Sequence, residues 1–336
     1  TQRAGIRRSA TSVPYSSNKL KKLRSVSTKP AAAQNDPGLD SLYRKAKTQQ
    51  WDVDDFDWSH EFDRDNPLRL PDRTLIIYGS ALWDRLTTER RAEARCHFQA
   101  WTLSQILHGE QGALLCATKL AQGEHELSAR LCAAAQAFDE ARHIEACARL
   151  VNDKVGIAYP LSRSLHALLR DTVCSSELDI TNLGMQILVE GIALSLFQTI
   201  VGYSRDEFVK SLLTRIQQDE ARHFAVGSTT LTRLYSSELS SAELRVREEF
   251  VCESIVVLYE HLCADDIWEP LGHSRKECAT LVRKSPVADA LRRSLFRRLV
   301  PAIRNIGLAG PRVGKVLESL NLLDYLQWPL AAEPSA

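Results

Sequence analysis

A five-residue string occurs twice in this chain, as Asp139-Glu140-Ala141-Arg142-His143 and again as Asp219-Glu220-Ala221-Arg222-His223. In each copy Glu and His stand three positions apart, so on a helix both side chains leave one face, one above the other. Two further glutamates repeat the pattern: Glu110 precedes Glu140 by the same interval at which Glu190 precedes Glu220. A Glu on each of four helices, with a His on two of them, is the ligand set of a dinuclear iron or manganese site inside a helical bundle. The expected metal ligands are therefore Glu110, Glu140, His143, Glu190, Glu220 and His223. A lone Glu-x-x-His is most often a solvated surface pair; the symmetric set of six points to metal.

The elements that would position these residues can be tested within the sequence. If two antiparallel helices present ligands at one height, the turn must fall midway between them. Between Glu110 and Glu140 the polar break is Ala121-Gln122-Gly123-Glu124-His125-Glu126. Between Glu190 and Glu220 it is Gly202-Tyr203-Ser204-Arg205-Asp206-Glu207, where Ser204 and Glu207 read as a capping box. Each ligand then lies roughly 22 Å along its helix from the turn. The flanking residues are apolar: Leu103, Ile106, Leu107, Ala113, Leu114 and Ala117 about Glu110, and Leu183, Ile187, Ala193, Leu194, Phe197 and Val201 about Glu190. A carboxylate in such a stripe costs several kcal/mol unless it is neutralised, paired or bound to metal.

The remaining pattern is helical throughout, so the fold class expected is all-α, a ferritin-like four-helix bundle with additional C-terminal helices and an N-terminal arm. The ligand helices fall at about 88–120, 126–152, 177–202 and 205–236, and a crossover at 153–176 carries a short helix, Ser162–Arg170. Further helices are expected at 242–263, 274–282 and 287–306, with Pro270, Pro286 and Pro301 as breaks or kinks. Four segments follow: a basic tail at 1–36, disordered by composition; an extended aromatic and acidic arm at 37–74; the bundle at 75–240; and packed C-terminal helices at 241–336. Trp51, Phe56 and Trp58 are expected to anchor the arm to the bundle.

A net charge of +1 from 43 basic and 42 acidic residues gives no bias toward nucleic acid or membrane. No 18-residue uncharged apolar run exists, and the eight cysteines form no Cys-x-x-Cys pair. They read as small buried hydrophobes of a cytoplasmic protein, although the acid-poor tail also has the composition of a transit peptide.

The double motif with Glu110 and Glu190 resembles that of the ferritin-like di-iron carboxylate oxygenases. It is closest to bacterial multicomponent monooxygenase large subunits and soluble acyl-carrier-protein desaturases, over about residues 75–250. The resemblance implies one iron on Glu110, Glu140 and His143 and a second on Glu190, Glu220 and His223, with some carboxylates bridging. It also implies that Asp139 and Asp219 accept hydrogen bonds from the ligand imidazoles and that Arg142 and Arg222 pair with those aspartates. The chain departs from each well-known branch. The monooxygenases carry Thr where this chain has Leu194, and the desaturases carry Thr at the position of Ala193. Arylamine N-oxygenases add a seventh ligand, a His, where this chain has Ile216. The radical-generating ribonucleotide reductase subunit has Asp in place of Glu110, and rubrerythrins add a rubredoxin that is missing here.

What the resemblance implies for function is a non-haem di-iron oxidoreductase with two Fe ions, or Mn/Fe, and O2 as co-substrate. It would oxidise a small organic or carrier-bound substrate in a dry cavity; Leu103, Ile106, Leu107, Ile187, Ala193, Leu194, Phe197 and Ile216 are candidates for its wall. Electrons would come from an external ferredoxin or flavin reductase, since no dinucleotide fingerprint or iron–sulfur cysteine pattern is present. A homodimer is left open. The competing readings are a ferroxidase that handles iron alone, an amine N-oxygenase, and a scaffold with a structural metal. The long helical extension beyond the four ligand helices argues against a simple ferritin.

Overall fold

A computed structural model describes residues 36–329, and the basic tail expected at 1–36 lies outside them except for Asp36. Among the described residues there are helices and turns and no strands. The four ligand helices are long. Helix α3 (Thr88–Gly123) and α4 (Leu127–Arg149) form the first hairpin. The second joins a composite helix, α6 (Leu178–Asn182) through a π-helical stretch (Leu183–Val189) to α7 (Glu190–Tyr203), with α8 (Glu207–Ser237). Both turns fall where the ligand spacing places them. The crossover helix α5 (Arg163–Cys174) packs on α3, allowing the second hairpin to return beside the first.

Helix starts follow local chemistry. Thr87 caps α3 by accepting from the Arg90 amide. Helix α8 is capped by Asp206, which accepts from the Val209 amide, and not by the expected Ser204 box. Ser204 is occupied elsewhere: its hydroxyl donates to the Leu68 carbonyl at 2.8 Å and accepts from the Asp206 amide at 3.1 Å. Helix α4 continues into a π turn (Leu150–Val155) that stops at Gly156, whose φ of +71° suits a residue without a side chain.

The segment expected to be an extended arm begins instead as a helix. Helix α1 (Pro37–Thr48) is capped by Asp36, carries Pro at its first turn and packs across α4 and α8. Its amphipathic spacing, with Leu39 and Ala46 buried, is the signal that the aromatic and acidic composition beyond it obscured. The rest of the arm is irregular apart from short 3-10 turns at Val53–Asp55 and Asp72–Thr74 and lies against the bundle, and the short helix α2 (Ala81–Arg85) follows it. Trp51 is 8 % exposed, and Phe56 and Trp58 pack edge-on to Phe208 of α8.

Beyond the bundle, α9 (Ser241–His261), α10 (Arg275–Lys284), α11 (Pro286–Asn305) and α12 (Pro311–Ser319) enlarge the core over α7. Pro286 opens α11, whereas Pro301 sits inside it, so it does not end the helix as a break would. The composite helix Leu178–Tyr203 is long and apolar enough to cross a membrane, but here it is a core helix with Glu190 on its buried face.

The seam between α8 and the π stretch depends on Gly227. A Cβ there would meet the Gln186 Cβ at 2.7 Å and the Asn182 Oδ1 at 2.9 Å. Gly227→Ala should destabilise the fold by about 1–3 kcal/mol, the usual cost of overpacking, read as a lower urea midpoint. An unchanged midpoint would mean the seam is looser than these distances imply.

Candidate metal centre

The structure brings the six sequence-predicted ligands to one place. Glu110 stands on α3, Glu140 and His143 on α4, Glu190 at the first α-helical residue after the π stretch, and Glu220 and His223 on α8. None is more than 6 % exposed. Their donor atoms form two overlapping groups, each within 4.8 Å: Glu110, Glu140, His143 and Glu220, and Glu140, Glu190, Glu220 and His223. Glu140 and Glu220 belong to both. Two cations held here would share Glu140 and Glu220, with Glu110 and His143 serving one and Glu190 and His223 the other. π turns recur at functional sites because the extra residue re-aims the side chains that follow it. Here that side chain is Glu190.

Both imidazoles turn Nδ1 toward the carboxylates. His143 Nδ1 lies 2.9 Å from Glu220 and 3.2 Å from Glu140, and His223 Nδ1 lies 3.2 Å from Glu140. Each Nε2 points outward to the aspartate of the opposite motif, His143 to Asp219 and His223 to Asp139, both at 3.2 Å. The two halves are thus laced crosswise. Arg142 Nη2 donates to Asp139 at 2.6 Å and to Asp219 at 3.2 Å; Arg222 Nη2 donates to Asp219 at 2.7 Å and to Asp139 at 2.8 Å. Two carboxylates and two guanidiniums, all buried, form a closed square behind the imidazoles.

Residues that sequence reasoning did not assign to the site complete this square. Trp51 Nε1 donates to Asp219 at 2.8 Å, and its ring stacks at 6.2 Å on His143 and lies 5.1 Å from the Arg142 guanidinium. Gln50 donates to Asp139 at 3.3 Å and accepts from Arg142, while Gln49 accepts from Arg222 at 3.3 Å. No motif marks these three. Gln136 was findable, because it lies one turn before Glu140 on the same face. Its amide donates to Glu140 at 3.0 Å and to Glu190 at 2.9 Å, and its oxygen accepts from Gln186 at 2.5 Å.

The donor set fits two cations. Glu190 Oε2, Glu220 Oε1 and His223 Nδ1 are buried without a hydrogen bond of good geometry, a costly arrangement unless something sits among them. Burial, reinforced by the Glu220 charge, pushes Glu110 and Glu190 well above the usual carboxylate range. Burial alone would depress His143, but its hydrogen bonds to Asp219 and the glutamates outweigh it and hold the imidazolium well above the usual histidine range. His223 is raised likewise, chiefly by Glu140 against the opposing effect of burial. Protons and cations therefore compete for the same buried atoms. Two divalent ions would replace the protons, since ligands bind metal deprotonated.

A narrow cavity of about 130 Å³ opens beside Glu110, Glu190 and Glu220. Of the wall residues expected from sequence, Ile106 and Ala193 line it. Leu103, Phe197 and Ile216 are closed into the adjoining core, with Leu107 packed against it, and Ile187 and Leu194 belong to the core under α11. Thr102, Gln105, Ile192 and Leu196 add to the lining from the same helices, Leu68, Leu70 and Ile76 from the segment before α2, and His261 and Arg292 from α9 and α11.

Residues 33–307 match the family described as P-aminobenzoate N-oxygenase AurF. The chain belongs to that family. No curated protein matches it. Among solved structures it is similar to an R2-like ligand-binding oxidase with an aerobically reconstituted metal cofactor, at 18 % identity and a TM-score of 0.50, covering 82 % of this chain and 94 % of that one. A mutant of such an oxidase with a Mn/Fe cofactor matches at 20 % identity and 0.53 over the same shares. That identity speaks for the fold alone. Membership in the AurF family names a branch where the sequence alone matched none, because Ile216 stands where the resemblance to the N-oxygenases implied a further His. The AurF-family chain is an O2-using di-iron oxidoreductase.

Two measurements test the centre. Anaerobic loading with ferrous iron should give two ions per chain and release protons, with affinity rising with pH because protons compete for the same atoms. Glu110→Ala should lower the stoichiometry or affinity; a folded wild type that takes up one ion or none would refute the assignment. Asp139→Asn and Asp219→Asn should keep the helical fold while weakening metal binding or activity about 10–100-fold. Wild-type behaviour of both variants would make the square a purely structural device.

Proposed function

We propose that this chain is a monooxygenase-type enzyme acting on a small, largely apolar organic substrate, with electrons delivered by a separate ferredoxin or flavoprotein reductase. The observation that carries this is the cavity whose wall includes Glu110, Glu190 and Glu220, three of the four carboxylates of the centre. A storage ferroxidase needs no such apolar chamber beside its metals. When bound, two irons supply the reduction of O2 and the power to insert oxygen into a substrate bond; Glu110, Glu140, His143, Glu190, Glu220 and His223 would hold them.

The protein's own part is positional. Ile106, Ala193, Ile192 and Leu196 exclude water from the reacting side, so that charge developing there is felt at low dielectric. The crossed Asp139 and Asp219 bonds fix each imidazole's tautomer and tilt, and those histidine contacts, with the Arg222 guanidinium, keep both aspartates ionised. Their carboxyls are held below the usual aspartate range despite burial. Gln136 restrains Glu140 and Glu190 while leaving each a second oxygen for metal.

Oxygenation at an amine nitrogen is a second reading, favoured by the family match itself. Assays with paired amines and hydrocarbons of equal size separate it from C–H oxidation. The free cysteines, most of them buried, support a reducing, cytoplasmic setting.

Metal-loaded protein, chemically reduced and mixed with O2, should show one burst of O2 uptake without any partner. Repeated uptake coupled to product should appear only when a reductase system is added. If the protein instead oxidises many ferrous ions per chain and retains them as mineral, with no organic compound altering O2 uptake, it is an iron-handling relative.

A further inference from the structure

The cavity beside the metal ligands is not the only open space along α7. A second, wider pocket of about 670 Å³ opens at the surface between α7, α11 and the turn Asp72–Thr74, with Gln198, Tyr203, Val287 and Ser294 in its wall. Thr74, Thr199 and Leu291 line both spaces. One comes from the turn, one from α7 and one from α11, so the boundary between cavity and pocket is flanked from three sides.

The face of α7 shows the same continuity. Ala193, Leu196 and Ile200 line the cavity at intervals of three and four, and Tyr203, the next position on that stripe, lines the pocket. The stripe thus runs from beside Glu190 to solvent, roughly 20 Å along the axis. Its outer end is apolar despite facing water: Tyr203 is 44 % and Val287 40 % exposed. At the boundary the Thr74 hydroxyl donates to the Pro71 carbonyl and the Thr199 hydroxyl to the Ser195 carbonyl, both at 2.8 Å, and Leu291 is hydrocarbon. Two cations stay on the outer rim, Arg73 over the Tyr203 ring at 5.0 Å and Arg297 donating to Gln198 at 3.4 Å. The smaller pocket around Pro71 and Arg205 shares only Leu70 with the cavity, and Leu70 is packed into the core.

We propose that the organic substrate enters from this surface pocket along α7, and that Thr74, Thr199 and Leu291 form a constriction that selects what enters by its width. The inference rests on the reading of the inner cavity as the substrate chamber. Both threonine hydroxyls are committed to backbone carbonyls of their own segments, so the constriction is lined by groups that ask nothing of a passing molecule. A charged group would shed its water there without gaining a partner, whereas a neutral ring or chain loses little. Leu291, half-buried on α11, is the member whose bulk sets the opening. Passage along a packed helix face of this kind controls rates of entry and exit, and it leaves the affinity inside to the chamber wall.

The test follows coumarin, a flat neutral probe that quenches tryptophan emission, as it reaches Trp101 in the cavity wall of the metal-loaded protein. Stopped-flow mixing reads association and release rates separately. Leu291→Trp should slow both about tenfold while Kd stays within about threefold, because a constriction acts on the barrier and not on the bound state. Leu291→Ala, which adds no bulk and is the safer substitution for folding, should speed both. Rates unchanged in both variants, with coumarin bound as in wild type, would overturn the constriction and leave the chamber standing. A change in release alone, with Kd moving in step, would also overturn it, since Leu291 would then be part of the binding wall. If coumarin does not bind the wild type at all, the chamber reading fails and the constriction with it.

Discussion

Four carboxylates and two imidazoles buried around one point must be neutralised, and the rest of this structure is arranged around that requirement. Isolated, each ion would carry a desolvation penalty of several kcal/mol. Burial pushes Glu110 and Glu190 toward their neutral forms, and the outer square of Asp139, Asp219, Arg142 and Arg222 balances charge behind the imidazoles. Neither arrangement is sufficient alone. The square fixes the imidazoles but cannot reach the inward lone pairs, where Glu190 Oε2 and His223 Nδ1 remain without good partners. Cations are what those atoms lack, so stability and function converge on the same site.

The square also explains why the N-terminal segment belongs to the enzyme. Helix α1 and the residues after it could have been a surface strap. Instead, Gln49, Gln50 and Trp51 supply bonds that the bundle's own helices leave open, and Trp51 closes the face of His143. An outer shell open to water would lose much of its hold on Asp139 and Asp219, because exposed ion pairs contribute little. By covering it, a segment distant in sequence converts four surface charges into a buried network.

The clustering of these six residues was legible in the sequence because it is written in spacing: one string used twice, and two glutamates at a common offset from its copies, on four helices. Hairpin turns were legible for the same reason. What spacing cannot encode is contact between elements without periodic relation. Trp51 reads as a hydrophobic anchor, and its indole N–H meeting Asp219 depends on where a connecting segment lands. The extended reading of 37–48 failed because the acids and aromatics that follow dominated the composition, while Leu39 and Ala46 carried the helical spacing. The cavity wall was legible only in part, since Leu103 and Ile106 share a helix face by periodicity and packing alone decides that Ile106 faces the void.

The internal repeat makes its own departures informative. The offset that pairs Glu140 with Glu220 also pairs Gln136 with Ile216, and it pairs Ile106 with Gln186. On one flank the Gln186 amide donates to Gln136, which in turn donates to Glu140 and Glu190; on the other, two isoleucines occupy the equivalent turns. A carboxylate that accepts an amide hydrogen bond is a weaker donor to metal than one backed by hydrocarbon. Glu190, which accepts from Gln136, would therefore give less electron density to a metal than its symmetry counterpart Glu110, which has no such amide. Ile106 also lines the cavity, so the hydrocarbon flank borders the space where a substrate can reach the centre. The symmetry of the repeat builds the cage for two ions, and its breaking at four side chains gives that cage a dry side and a polar side.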